Sequence, residues 1–283
     1  EGCPQWDEIT VNVVPCCSCS SAVELNPHAY SVFLETVETV YNVSHIEDLI
    51  SAIENSTTLT YLPDALTKTV TISPGSTGTP TICINGEFWV KNFVYTLNNI
   101  DYPINTIIIQ NCTLRLGEDA RIRVRGLSKL ILKGCLVESC STSTMWDGLY
   151  VDIYDQAVTE PELEITEYVT TSTRTTIRDA KNALVLRRDS PFDINKCDFE
   201  DNYVDVLMEK YNKTNNSSKI FNCSFDFTAF NDPTFADHKR AAFELNDIES
   251  FTIGEAVNGS ENIIENSLYG IYSNNSNFKL LNT

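Results

Sequence analysis

The stretch Ala120-Arg-Ile-Arg-Val-Arg-Gly126 spaces Arg121, Arg123 and Arg125 two residues apart. On a β-strand that spacing puts all three on one face. A basic stripe stands out in a chain of net charge −19. Shortly after it, "MWDGLYVDIYDQ" supplies Trp146, Asp147, Asp152 and Asp155. Cations that neutralise a carboxylate, beside a group that takes the α-proton, are what eliminative cleavage of an acidic polysaccharide requires. That reading makes Arg121, Arg123, Arg125 and Asp147 catalytic candidates, and Trp146 and Asp152 ligand contacts. The alternative is that the arginines pair with acids on neighbouring strands. Trp146 lies inside a repeated motif and reads equally as a packed core residue.

Other chemistries find less. Asp198, Glu200, Asp201 and Asp205 form an acidic run, either a calcium site built from Asp198, Asp201 and Asp205 or a solvated turn. Glycoside hydrolysis needs two carboxylates at a fixed separation, which no motif here designates. No GxSxG, phosphate-binding or dinucleotide fingerprint occurs. The three histidines, His28, His45 and His238, accompany no nucleophile motif. The acidic balance argues against nucleic acid and against anionic membrane surfaces. The longest apolar runs, such as Ile107–Ile109, are too short to span a bilayer.

The elements that would carry these residues come from two repeats. The first is [Ile/Leu]-x-x-Cys-x-[apolar], at Ile109…Cys112…Leu114, Leu132…Cys135…Val137, Ile194…Cys197…Phe199 and Ile220…Cys223…Phe225. Ile263-Ile-Glu-Asn266-Ser-Leu268 reads as a fifth copy with Asn for Cys. Successive first positions lie 23, 62, 26 and 43 residues apart. Intervals of 23 and 26 suit one turn of a coil of parallel strands; 43 suggests two turns, and 62 two or three with an inserted loop at "DQAVTEPELE". The second repeat is "WDGLYV", "KNALVL", "NYVDVL" and "LYGIYS". In such a coil, equivalent residues stack about 4.8 Å apart, and Cys is small and apolar enough to fill an inward ladder. Cys112, Cys135, Cys197 and Cys223 are therefore expected to form a core column. A Cys135–Cys140 disulfide is the competing reading.

Before the repeats the texture differs. Residues 1–30 are Cys-rich. Cys3, Cys16, Cys17 and Cys19 are disulfide candidates in an oxidising compartment, with a metal site as the alternative. "HAYSVFLETVETVY" has a helical pattern interrupted by Val37, Thr39 and Val40. Ser44-His-Ile-Glu47 is a capping box. Behind it, Ile46, Leu49, Ile50 and Ile53 form one helical stripe. Glu1 reads as a mature end left by signal cleavage or as a cloning boundary. Nine Asn-x-Ser/Thr sequons occur. They read as glycan acceptors or as the chance product of an Asn/Ser/Thr-rich chain, with Asn111 and Asn222 serving the repeat itself.

The helix-then-rungs opening "VSHIEDLISAIENSTTLTYLPDALTKTVTISPG", with "MWDGLYV" and "INKCDFEDNYVDVL", resembles the pectate-lyase-like superfamily of right-handed parallel β-helices, in the style of large secreted surface proteins of Bacteroidota. The resemblance spans residues 44–283. It implies an all-β solenoid over 57–283, with residues 1–56 as a Cys-rich segment and helical cap. Lyases of that superfamily often hold calcium with clustered Asp and use Arg or Lys as base. Polygalacturonase-type motifs (Asn-Thr-Asp, Asp-Asp, Gly-His-Gly, Arg-Ile-Lys) are absent. Such folds host enzymes, adhesins and spikes alike. The expectation is a secreted or cell-surface structural or adhesive module, without a required cofactor, meeting extracellular polysaccharide or a surface protein. Carbohydrate-active enzyme or sugar-binding module is the alternative. The final "NFKLLNT" shows no polar cap, so self-association or further chain is expected at the last rung.

Overall fold

Alternating β-branched and polar residues produce strands throughout. The computed structural model describes residues 31–34, 40–42, 59–64, 66–74, 81–97, 99–141, 143–152, 162–211, 218–228, 241–257 and 259–281. The predicted capping helix, Cys3, Cys16, Cys17, Cys19, Trp6, Asp155 and all three histidines lie outside these residues.

Three sheets account for most strands. The first contains β1 (Ser31–Leu34), β2 (Val40–Asn42), β5 (Thr81–Ile84), β10 (Thr113–Leu116), β13 (Leu136–Ser139), β16 (Thr175–Arg178), β19 (Cys197–Glu200), β22 (Ser224–Asp226) and β25 (Ile263–Ile264). The second contains β6 (Glu87–Val90), β11 (Arg121–Val124), β14 (Trp146–Val151), β17 (Ala180–Arg187), β20 (Val204–Glu209), β23 (Ala241–Asn246) and β26 (Tyr269–Asn274). The third contains β3 (Leu59–Asp64), β4 (Thr69–Pro74), β9 (Thr106–Gln110), β12 (Lys129–Lys133), β15 (Glu162–Thr166), β18 (Phe192–Asn195) and β21 (Lys219–Phe221). A hairpin, β7 (Phe93–Leu97) with β8 (Ile100–Ile104), stands apart, and β24 (Phe251–Ile253) pairs with β27 (Phe278–Leu280).

From β4 to β23 the chain visits the third, first and second sheets in that order, repeatedly, and each strand pairs in parallel with its counterpart one circuit later. This is a three-sided, solenoid-like coil, compatible with a β-helix. At the early end, antiparallel strands adjoin two sheets: β1 lies against β5, and β3 against β4. β1 and β2 fall inside the segment with the interrupted helical pattern; its β-branched residues favour strand.

Register stacks like on like. On the third sheet Ile72, Ile109, Leu132, Ile165, Ile194 and Ile220 form one inward column. On the second, Phe88, Ile122, Leu149, Leu184, Val206, Phe243 and Ile271 do so. The first aligns Ile82, Leu114, Val137, Ile177, Phe199, Phe225 and Ile264. Phe199 and Phe225 stack with centroids 4.9 Å apart and rings 1° from parallel. Each such side chain, removed from water, contributes about 1.5–3 kcal/mol.

The corners are short because single residues adopt left-handed backbone. Asn111, Gly134, Lys196 and Asn222 do so ahead of the cysteines, with φ of 51°, 59°, 56° and 54°. Asp179, Asp201 and Asn266 do so between first and second sheets. Asn, Asp and Gly tolerate this region best, so the sequon residues Asn111 and Asn222 occupy structural corners.

One long interval falls within expectation and the other departs from it. The 62-residue interval is two circuits, through β13, β16 and β19. The 43-residue interval is one circuit rather than two, because β22 pairs directly with β25; its extra length lies between β22 and β23 and between β24 and β25.

Candidate functional site

The arginine stripe lies on the outer face of the second sheet. On β11, Ile122 and Val124 point inward, and Arg121 and Arg123 alternate outward. Register sets Arg121 between Glu87 and Gly148, and Arg123 between Trp89 and Tyr150. Arg121 pairs with Asp147 at 2.7 Å and Glu87 at 3.5 Å. Arg123 pairs with Glu87 at 3.1 Å and Asp152 at 4.0 Å. Arg187, two circuits beyond β11, reaches Asp152 at 4.0 Å and Glu209 at 2.5 Å. Arg125 stacks over the Trp89 ring at 4.0 Å.

Tyr150 is the centre of this group. Arg121, Arg123 and Arg187 lie 5.5, 5.2 and 5.6 Å from its ring centroid. Its hydroxyl donates to Asp147 at 3.2 Å. Burial, and then the Asp147 charge, push its pKa up, against the pull of Arg121 and Arg187. The face is thus a charge-compensated lattice around one aromatic ring. Beside it, Asp152, Arg187, Arg188, Glu209, Lys210 and Asp247 line a polar concavity of about 320 Å³.

The other candidates separate. Trp146 is fully buried and its indole N–H donates to the Arg178 carbonyl at 2.8 Å, so its ring offers no face to a sugar. Asp198 pairs with Arg174 at 2.8 Å. Asp201 accepts from the Thr228 amide at 2.7 Å. Asp205 is buried and accepts from Asn202 at 2.9 Å. These three carboxylates do not converge, and among the described residues no three His, Cys, Asp or Glu gather as a metal-ligand set. Calcium at the acidic run is therefore not supported by the donor geometry.

Cys112, Cys135, Cys197 and Cys223 are all buried free thiols, and Cys83 is buried as well. The Cys135–Cys140 pairing is accordingly not formed. The Cys135 thiol instead donates to the Ile109 carbonyl of the preceding circuit at 3.2 Å. The column also contains Thr175, between Cys135 and Cys197, and Asn262 beyond Cys223. Asn266 sits at the following corner and donates to Asp226 at 2.7 Å, so it is not the counterpart of Cys.

Sequence reasoning missed Glu87, Tyr150, Arg187 and Glu209. Their signal is alignment: "EFWV", "RIRV" and "GLYV" are successive strands of one face. No protein-family model matches the chain, and no curated protein or solved structure matches it.

Proposed function

We propose that the chain is a stiff structural or adhesive module of a secreted or cell-surface protein, built as a right-handed parallel β-helix. The observation that carries this reading is the ion pairing of the stripe. Arg121 and Arg123, the cations best placed to meet a substrate carboxylate, already face Glu87, Asp147 and Asp152 at 2.7–4.0 Å. A lyase would have to break those pairs to bind its substrate. Stacked columns over three faces instead supply rigidity along one axis. An oxidising compartment is compatible with the buried thiols: burial keeps them protonated and unreactive. The polar concavity beside Arg187 favours a second reading, a polysaccharide-binding module without turnover.

Incubation with a panel of acidic polysaccharides, with and without calcium, tests this through unsaturated-product absorbance and reducing ends. We expect no turnover. Turnover that Arg123→Ala or Asp147→Ala abolishes would overturn the structural reading.

A further inference from the structure

We infer that Cys140 is joined by a disulfide to one of Cys3, Cys16, Cys17 and Cys19, so that the Cys-rich opening segment is covalently tied to the coil at the corner after β13. The bond is argued from thiol geometry and holds whether the coil is adhesive, sugar-binding or catalytic.

Cys140 is disulfide-bonded, and the fold excludes every other described cysteine as its partner. It is half-buried just beyond β13, where its amide donates to the Leu116 carbonyl at 2.8 Å. Cys135 stands at the opposite end of the same four-residue strand. The extended chain between them holds the two about 16 Å apart, whereas the Cα atoms of a disulfide lie within about 7 Å. Cys112, Cys197 and Cys223 occupy the corresponding end of β10, β19 and β22, so they are no nearer, and with Cys135 they are free thiols. Cys83 aligns, through Arg115, with Glu138. That places it two strands across and two residues along from Cys140, about 12 Å away. The chain has ten cysteines, and the four that remain all fall within residues 1–19.

Access points the same way. Cys83, Cys112, Cys135, Cys197 and Cys223 are at most 1% exposed, so Cys140 is the described cysteine that thiol–disulfide exchange can reach. Two S–H bonds break and one S–S bond forms. The two electrons and two protons pass to a disulfide oxidant, which leaves as two thiols. In the structural reading, a pull on the first residues would then reach the coil directly at β13 and bypass the strands before it.

The test uses the 283-residue chain, produced in an oxidising compartment, alkylated with iodoacetamide in denaturant without reduction, and mapped as tryptic peptides by mass spectrometry. Cleavage after Lys and Arg leaves Cys140 on 134–174, together with Cys135, and all four opening cysteines on 1–68. The expected result is 134–174 joined to 1–68 with Cys135 alkylated, and the two peptides separated by reduction. Cys140→Ser should leave 134–174 unlinked and free one further cysteine of 1–68 for alkylation, which identifies the partner. Alkylation of both Cys135 and Cys140 before reduction would overturn the proposal. So would a Cys135–Cys140 loop, a link to a peptide carrying Cys83, Cys112, Cys197 or Cys223, or a link between two copies of 134–174. None of these outcomes bears on the polysaccharide assay, which tests the module reading separately.

Discussion

Asn262 occupies, one circuit on, the column position of Cys223, and it closes the corner there. Its Oδ1 accepts from the Cys223 amide at 3.0 Å and its Nδ2 donates to the Ile220 carbonyl at 2.9 Å. Thr175 does the same for Cys135: its Oγ1 accepts from the Cys135 amide at 3.3 Å and donates to the Thr166 carbonyl at 2.6 Å. A buried backbone amide needs an acceptor. Where the next circuit arrives after a long insertion, a polar side chain supplies it.

Replacing Asn262 with Ala should therefore cost about 2–4 kcal/mol, since a buried amide and a buried carbonyl both lose their partner. Urea unfolding of the pair of proteins measures it. Loss under ~0.5 kcal/mol would mean that water or a backbone shift substitutes for the amide side chain.

The column thiols should be inert in the folded chain. Burial pushes Cys135 up to about 11 and Cys223 to about 12. Alkylation at pH 8 with mass-spectrometric mapping should leave Cys83, Cys112, Cys135, Cys197 and Cys223 unmodified until denaturant is added. Rapid labelling of Cys135 in the native state would contradict the column.

Asp205 sets a pH dependence. Burial, aided by the Asp201 charge, holds its carboxyl well above the usual carboxylate range despite the hydrogen bond from Asn202. Between the unfolded value near ~4 and that raised native value, the folded chain binds more protons than the unfolded one. Its contribution to stability is therefore present in acid and is lost as pH rises through the window. Asp205→Asn keeps an acceptor for Asn202, so it should raise the melting temperature at pH 7–8 and flatten this slope. A variant less stable than the parent at pH 8 would show that the carboxylate is stabilised charged.

Gly148 sits at φ 145° where the register between β14 and β17 shifts. A Cβ there would meet the Asn182 carbonyl oxygen at 2.0 Å. Gly148→Ala should cost about 2–4 kcal/mol, read by thermal melting. It should also disturb the Tyr150 lattice, visible as a change in near-ultraviolet circular dichroism.

Much of this was legible in the chain itself. Short apolar runs bounded by polar residues in "NTIIIQ" and "KLILK", residues suited to left-handed corners at Asn111, Gly134 and Asn222, and the recurring Cys all specify short stacked strands, because each is a local property of side-chain size and backbone sterics. Register was not local. The long insertions before β15, before β23 and before β25 hide the length of a circuit, so the sequence pattern matched Asn266 to the cysteines when Asn262 stands there, and read one circuit as two. Nor could the sequence say which acid meets which arginine. Glu87, Arg123 and Arg187 come from three different strands and Asp152 follows a fourth, and their charges meet only once parallel pairing fixes how those strands lie side by side. A pairwise electrostatic balance depends on distances across circuits, and those distances exist only in the tertiary structure.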